Sequence, residues 1–468
     1  MMQFIDRSDE LAFLERKHAS GEAELLIIFG RRRVGKTELV LHFSKDLPKL
    51  YFLGRLESRA DTIKRLNDLL IAQFHDNELL HSPVRGWECF FEYLGRKSQT
   101  RLVVILDEFP FIVSKFPEVP SLIQDKWDSS LKNTRLMLVL TGSSVGMMER
   151  HALDKRSPLF GRRTGQWNVQ PMPVSCLVEF FPSYSPRDLV QTFSILDTIP
   201  AYLAKFSPEL DVRQNIVGKV LSKGEYLYEE VEILLREEFR DPSNYMSILS
   251  AIAGGATTFN EINNRTQLDK SLLSKYIYVL DRLGVIERVI PVTESYKRRL
   301  GARGAQHFLK DNFFDFWFRF VYLNKPALEG SQSEEVMGQI DREMDQYVSG
   351  KFERFVASIV PALQIIPVSR LGRWWQDDHE IDIVALDENG IQSLFCECKW
   401  SDKVDAGRVQ SRLEEAASDV RWHQKDRKDH FAIFARSFSR RVEGARCFDL
   451  DDLMSCIGGR QKAVSKRK

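Results

Sequence analysis

Leu25-Leu26-Ile27-Ile28-Phe29-Gly30-Arg31-Arg32-Arg33-Val34-Gly35-Lys36-Thr37 joins five apolar residues to the pattern G-x-x-x-x-G-K-T. The apolar run reads as a buried strand, and the glycine-rich stretch turns it into a helix expected over 38–44. Glycines at Gly30 and Gly35 let the backbone N–H groups of this loop wrap a phosphate chain at a helix N-terminus. Lys36 reaches the terminal phosphates and the Thr37 hydroxyl ligates Mg²⁺. The positions expected to hold a nucleotide are therefore Gly30, Arg33, Val34, Gly35, Lys36, Thr37 and Glu38.

Two further apolar runs belong with this strand. Residues 101–106 (Arg-Leu-Val-Val-Ile-Leu) end in Asp107-Glu108, and a continuous run of this kind suits a strand buried on both faces of a parallel sheet. Ligands bind at the C-terminal ends of such strands. Asp107 is expected in the Mg²⁺ shell, and Glu108 is expected to polarise the water that attacks a γ-phosphate. Residues 136–140 lead into Thr141-Gly142-Ser143-Ser144. Ser143 either orients that water or caps a helix starting near 145. A further strand at 50–53 and helices at 60–73, 86–95 and 121–132 give the alternation of a doubly wound α/β sheet.

Phe4-Ile5-Asp6-Arg7-x-x-Glu10-Leu11, Ser157-Pro158-Leu159-Phe160-Gly161-Arg162-Arg163 and Ile199-Pro200-Ala201-Tyr202-Leu203 accompany the lysine loop. Together they resemble the motifs of an AAA+-like, STAND-related P-loop ATPase family common in archaea, over essentially the whole chain. The resemblance implies ATP as the nucleotide and Arg7 near the base or ribose. It implies Arg162 or Arg163 as an arginine finger, in cis or across a homo-oligomer interface, and Pro200 and Tyr202 at a helical lid. One departure stands out. The family has Gly-Gly before that proline, and this chain has Asp197-Thr198.

The bulk composition narrows the classes. The chain has 468 residues, 43% of them hydrophobic and 28% charged, which suits a globular protein of several domains. The net charge of +1 excludes a whole-molecule pull toward nucleic acid or membrane, so any such surface is local. Six scattered cysteines fit a reducing compartment better than a disulfide framework. The N-terminus lacks a signal-peptide layout and no apolar run is long enough to span a bilayer, so a cytoplasmic protein without a membrane partner is expected. The expected domains are 1–215 (ATPase with lid), 216–304, 305–460 and a basic tail at 461–468.

Residues 245–253, the capping box Thr258-Phe259-Asn260-Glu261, and residues 269–283 read as three helices. An expected strand at 285–290 makes the set a winged helix-turn-helix. Lys270, Ser271, Ser274, Lys275 and Tyr278 face outward from the third helix, with Lys297, Arg298 and Arg299 beyond the wing. These residue types suit phosphate contacts on DNA. A protein-facing or lid module is the alternative.

The aromatic run at 308–321 has helical spacing and reads as packing. Beyond it, Glu353 lies on a helix expected over 347–359, Asp382 in Glu380-Ile381-Asp382-Ile383-Val384, and Glu397 and Lys399 in Phe395-Cys396-Glu397-Cys398-Lys399-Trp400. The last two segments read as strands. Period two puts Glu397 and Lys399 on one face and the cysteines on the other. Asp382 and Glu397 would ligate Mg²⁺ or Mn²⁺, Lys399 would orient or deprotonate water, and Glu353 would complete the set or move a proton. With Gly372-Arg373-Trp374-Trp375, these residues resemble the PD-(D/E)XK nuclease-like (DUF234) domain that ends many members of the same ATPase family. Here Glu-Ile-Asp replaces the leading Pro-Asp. Three functions follow as expectations: an ATP-regulated DNA-processing or defence enzyme, a STAND-type signalling switch, or a DNA-binding regulator with an inert nuclease fold.

Overall fold

The computed structural model describes residues 4–76, 78–239, 241–294, 304–376 and 378–465, and it divides into two compact units, Met1–Met172 and Pro173–Lys468. The first unit is built on β1 (Glu24–Phe29), β2 (Lys49–Leu53), β3 (Leu102–Asp107), β4 (Leu136–Gly142) and β5 (Gly165–Asn168). They form one sheet in the order β2-β3-β4-β1-β5. Every pairing is parallel. β1, β3 and β4 are buried along their whole length, as unbroken apolar strands between two helical layers must be. The expected helices appear at Lys36–Phe43, Arg59–Phe74, Trp87–Lys97 and Val119–Ser129. Their ends differ from the sequence reading by one to three residues. The register sets Phe29 beside Gly142 and Leu106 beside Leu140, so the loop after β1 and the ends of β3 and β4 converge on one edge.

The second unit opens with the helix Cys176–Phe180, and Pro186–Leu196, Pro200–Leu203 and Tyr226–Glu238 are among the helices that follow. The segment 173–215 thus clusters with the C-terminal residues. Helices Ser243–Ala253, Phe259–Thr266 and Lys270–Arg282 follow, and the second carries the capping box read from Thr258 and Glu261. An antiparallel hairpin of β6 (Ile286–Val289) and β7 (Gln306–Leu309) comes next. Its return strand lies past the expected boundary at 304, so Phe308 pairs across a hairpin and is not part of the aromatic helix. Lys297, Arg298 and Arg299 lie outside the described residues. The rest of the aromatic run is helical, and Phe313, Phe314, Phe316, Trp317, Phe318 and Phe320 are buried, which makes it a packing stripe.

A single 27-residue helix, Ser333–Ile359, then leads to β8 (Arg370–Gln376), β9 (His379–Asp387) and β10 (Gln392–Lys399). The helix starts fourteen residues before the expected 347, because Val336, Met337, Ile340 and Met344 continue its buried stripe. With strands Lys428–Ala435 and Arg446–Phe448, β8, β9 and β10 form a five-stranded mixed sheet. Among the described residues no helix is long and apolar enough to cross a membrane.

Candidate functional site

Gly35 caps the helix Lys36–Phe43 with φ of 91°, a conformation L side chains rarely adopt. Gly30 is required for a different reason. A Cβ there would stand 2.4 Å from the Val169 carbonyl oxygen where β1 meets β5. These two positions fix the loop between them. The buried Lys36 donates from Nζ to the Arg31 carbonyl at 2.8 Å. Burial lowers its amine to about 8, against the raising pull of Glu108 and Asp107 and with the help of Arg32 and Arg31. Arg7 is 5% exposed and clamps the same loop. Its guanidinium donates to the Val34 carbonyl at 2.7 Å, the Gln170 carbonyl at 2.9 Å and the Glu10 carboxylate at 2.9 Å.

The end of β3 faces the loop. The carboxylate of Asp107 accepts from Thr37 Oγ1 at 2.8 Å, from Tyr51 Oη at 2.7 Å, from the Glu108 N–H at 3.0 Å and from Thr141 Oγ1. Thr37 and Asp107, the residues expected to serve Mg²⁺, are therefore in direct contact. Their donor set, a hydroxyl beside a carboxylate at a phosphate-binding loop, fits a hydrated hard cation. Glu108 has φ of 49°, and its side chain accepts from Ser143 Oγ at 2.9 Å and from the Ser143 N–H at 3.3 Å. The Ser143 hydroxyl is thus spent on Glu108. Tyr51 is the residue the sequence reading missed. It sits on β2, which carries no motif, and only the adjacency of β2 to β3 brings it to Asp107. Burial and the bond to Asp107 push its phenol well above the usual range.

Arg162 forks onto Asp128 through Nε at 2.9 Å and Nη2 at 2.6 Å. Arg163 donates to the Leu153 carbonyl at 3.3 Å and lies 5.1 Å from the Phe160 ring centroid. In the second unit, Pro200 opens the helix Pro200–Leu203, and Tyr202 is fully buried with its ring 4.8 Å from that of Phe313. Asp197, standing where a glycine was expected, has φ of 56° and ψ of −154°.

The second constellation also assembles. β9 and β10 are antiparallel neighbours with Ile383 opposite Cys396. Asp382 accepts from the Cys398 N–H at 2.8 Å, and Lys399 Nζ ion-pairs with Glu397. Cys396 and Cys398 are buried, while Glu397 and Lys399 are partly exposed. The alternation is as the sequence implied. Glu353, on the helix Ser333–Ile359, pairs with Arg373 at 3.4 Å, and Arg373 also pairs with Glu380. Burial and the Asp382 charge raise the Glu353 carboxyl to about 8. Burial and the Glu397 charge raise Asp382 to about 6. Three acids crowded against one another gain from a cation. Among the described residues no three His, Cys, Asp or Glu side chains converge at metal-ligand spacing. A divalent ion here would rest on the Asp382–Glu397 pair.

Residues 4–206 match the family described as an ATPase domain predominantly from Archaea, and residues 317–411 match DUF234, described as archaeal and bacterial proteins of unknown function. An uncharacterised protein of Methanocaldococcus jannaschii is 32% identical over 456 residues, covering 96% of this chain and 99% of its own length. An uncharacterised ATP-binding protein of the same organism is 51% identical over 46 residues, which is 10% of this chain and 78% of that one. The Walker-type ATPase of Pyrococcus abyssi superposes with a TM-score of 0.53 at 21% identity, over 68% of this chain and 96% of its own.

Proposed function

Because the chain belongs to the family of predominantly archaeal ATPases that carry this C-terminal domain, we propose that it is an ATP-driven enzyme that processes DNA through a metal-dependent nuclease site. The observation that carries the second half is the meeting of Asp382 and Glu397 on adjacent strands, beside Lys399 and near Glu353.

In the ATPase unit, Thr37 and Asp107 hold the magnesium ion of MgATP, which offsets charge on the phosphates. Lys36 leaves the Arg31 carbonyl for the terminal phosphates. Glu108 orients the attacking water once Ser143 releases it. Arg162 or Arg163 serves as the finger in a neighbouring copy, and Arg7 holds the loop on the base side. Pro200 and Tyr202 belong to the lid. The three helices and hairpin at 243–309 act as a winged helix on DNA, with Lys270, Ser271, Ser274, Lys275 and Tyr278 outward. In the nuclease-like site, Asp382 and Glu397 hold Mg²⁺ or Mn²⁺, which neutralises charge on a scissile phosphodiester. Lys399 orients the water, and Glu353 holds a proton for the leaving oxygen. A second reading rests on the Lys399–Glu397 ion pair and on the lack of a three-ligand group among the described residues. In it the nuclease fold binds DNA without cutting.

Incubation of the protein with plasmid and Mg²⁺ or Mn²⁺, with and without ATP, separates the readings. The wild type should nick the plasmid and Lys399→Ala should not. DNA binding without cleavage in every condition would favour the second reading. Lys36→Ala should abolish nucleotide binding, and Glu108→Gln should keep binding while stopping turnover. Persistent turnover in Glu108→Gln would remove that residue from its role.

A further inference from the structure

A carboxylate has about four lone-pair positions. Asp107 already accepts four hydrogen bonds, two on each oxygen: Thr37 and Tyr51 on Oδ2, Thr141 and the Glu108 N–H on Oδ1. A carboxylate that serves Mg²⁺ through water must accept from that water. In this arrangement no lone pair is left for it. One donor has to leave.

Three of the four are poor candidates. The Glu108 N–H is main chain, held in the left-handed region immediately after β3. Thr141 is fully buried within β4, between β1 and β3. Thr37 can keep its proton on Asp107 while its oxygen turns to the ion. Tyr51 is different. It lies on β2, at the edge of the sheet, and is only partly buried. It reaches Asp107 through the far end of a side chain with two rotatable bonds.

We propose that Tyr51 gates metal entry: its hydroxyl occupies the Asp107 lone pair that a magnesium-bound water requires, and it must swing off when MgATP binds. This rests on the ATPase reading. Nothing in the G-x-x-x-x-G-K-T loop or the Asp107-Glu108 pair announces it, because β2 carries no motif. Tyr51 acts as a positioning residue through Asp107, and its expected effect falls on metal demand rather than on nucleotide contact.

The test uses the full chain and mant-ATP. Binding is titrated in EDTA and across a series of Mg²⁺ concentrations. Tyr51→Phe, which removes one oxygen and keeps the ring, should lower the Mg²⁺ concentration for half-maximal tightening by about three- to tenfold. Mant-ATP affinity in EDTA serves as the reference and should move by less than about twofold, since an opened lone pair changes only the metal-dependent step. Tyr51→Leu should shift the Mg²⁺ midpoint the same way, which assigns the effect to the hydroxyl. A Tyr51→Phe curve superimposed on the wild type, or displaced to higher Mg²⁺, overturns the gate. The second result would make Tyr51 a support for Asp107. A wild type that does not bind mant-ATP in any condition overturns the ATPase reading and the gate together, whereas binding that ignores Mg²⁺ overturns the gate alone.

Discussion

Asp197 holds a backbone that glycine adopts more easily. Its φ of 56° and ψ of −154° lie at the margin of a region nearly reserved for glycine, where another residue costs about 1–3 kcal/mol. Side-chain contacts offset that cost. Oδ1 accepts from the Thr198 N–H at 2.7 Å, and Oδ2 lies 3.8 Å from Arg354 Nη2. The informative comparison is Asp197→Ala against Asp197→Gly. Both lose the carboxylate contacts, and only the glycine releases the strain. At an unstrained position, alanine is more stable than glycine by about 0.4–1 kcal/mol, because glycine widens the unfolded ensemble. Here the order should invert. Subtracting that entropy from the strain leaves Asp197→Gly more stable than Asp197→Ala by about 0.5–2 kcal/mol. Urea unfolding of the full chain, read on the transition that reports the second unit, measures the difference directly. Alanine equal to or better than glycine would refute the reasoning. The same argument explains how Asp197 can stand in a backbone that suits glycine: its side-chain contacts compensate.

Two other outcomes are expected. Arg7→Ala removes three bonds from a buried guanidinium and leaves the Val34 and Gln170 carbonyls short of a donor. It should destabilise the first unit by roughly 3–5 kcal/mol and weaken mant-ATP binding, with Arg7→Lys recovering less than half because an ammonium cannot fork; a loss under about 1 kcal/mol would count against the clamp. The second concerns pH. The native state keeps protons on Glu353 and Asp382, with carboxyls raised to about 8 and about 6, that the unfolded chain releases near their ordinary values of 4.5 and 3.8. Proton binding is then greater in the native state, so stability in EDTA should fall as pH rises from about 4 to about 8 and level off above, at a rate of up to about 1.4 kcal/mol per pH unit for each such proton. Glu353→Gln should flatten that slope, and added Mn²⁺ should do likewise by taking the place of the protons. A stability that climbs over this range would contradict the crowding of the acids.

What the sequence disclosed follows from how local each signal was. Gly30 through Thr37 and Asp107-Glu108 carry their meaning in consecutive residues, because a phosphate loop and a strand end are built from neighbours in the chain. The Glu397-x-Lys399 alternation was legible for the same reason, since period two needs only a strand. Tyr51 carries no signal, and Arg373 and Glu380 are legible only as parts of their own segments, because their contacts are set by which strand lies beside which, and register across a sheet leaves no mark in a single segment. Ser143 carries two readings in the sequence, and its hydroxyl donates to Glu108, a partner neither reading names. The first half of the helix Ser333–Ile359 is harder to read than the turn around Glu353, because it is defined by a buried stripe with no chemistry in it.

That helix has a consequence for the second unit. The Tyr347 hydroxyl lies 3.0 Å from both the Ser194 and the Asn312 carbonyl oxygens and shares its one proton between them, and Arg354 donates to the Lys310 carbonyl at 2.7 Å and to Asn312 Oδ1 at 3.0 Å. Asn312 in turn donates to the Phe193 carbonyl at 2.9 Å. Glu353 is the residue next to Arg354. The carboxyl that faces Asp382 and the guanidinium that grips the end of the hairpin therefore share one rigid turn of helix. The helix Pro186–Leu196, the end of β7 and the carboxylate site thus all meet one element, the helix Ser333–Ile359 that carries Tyr347, Glu353 and Arg354.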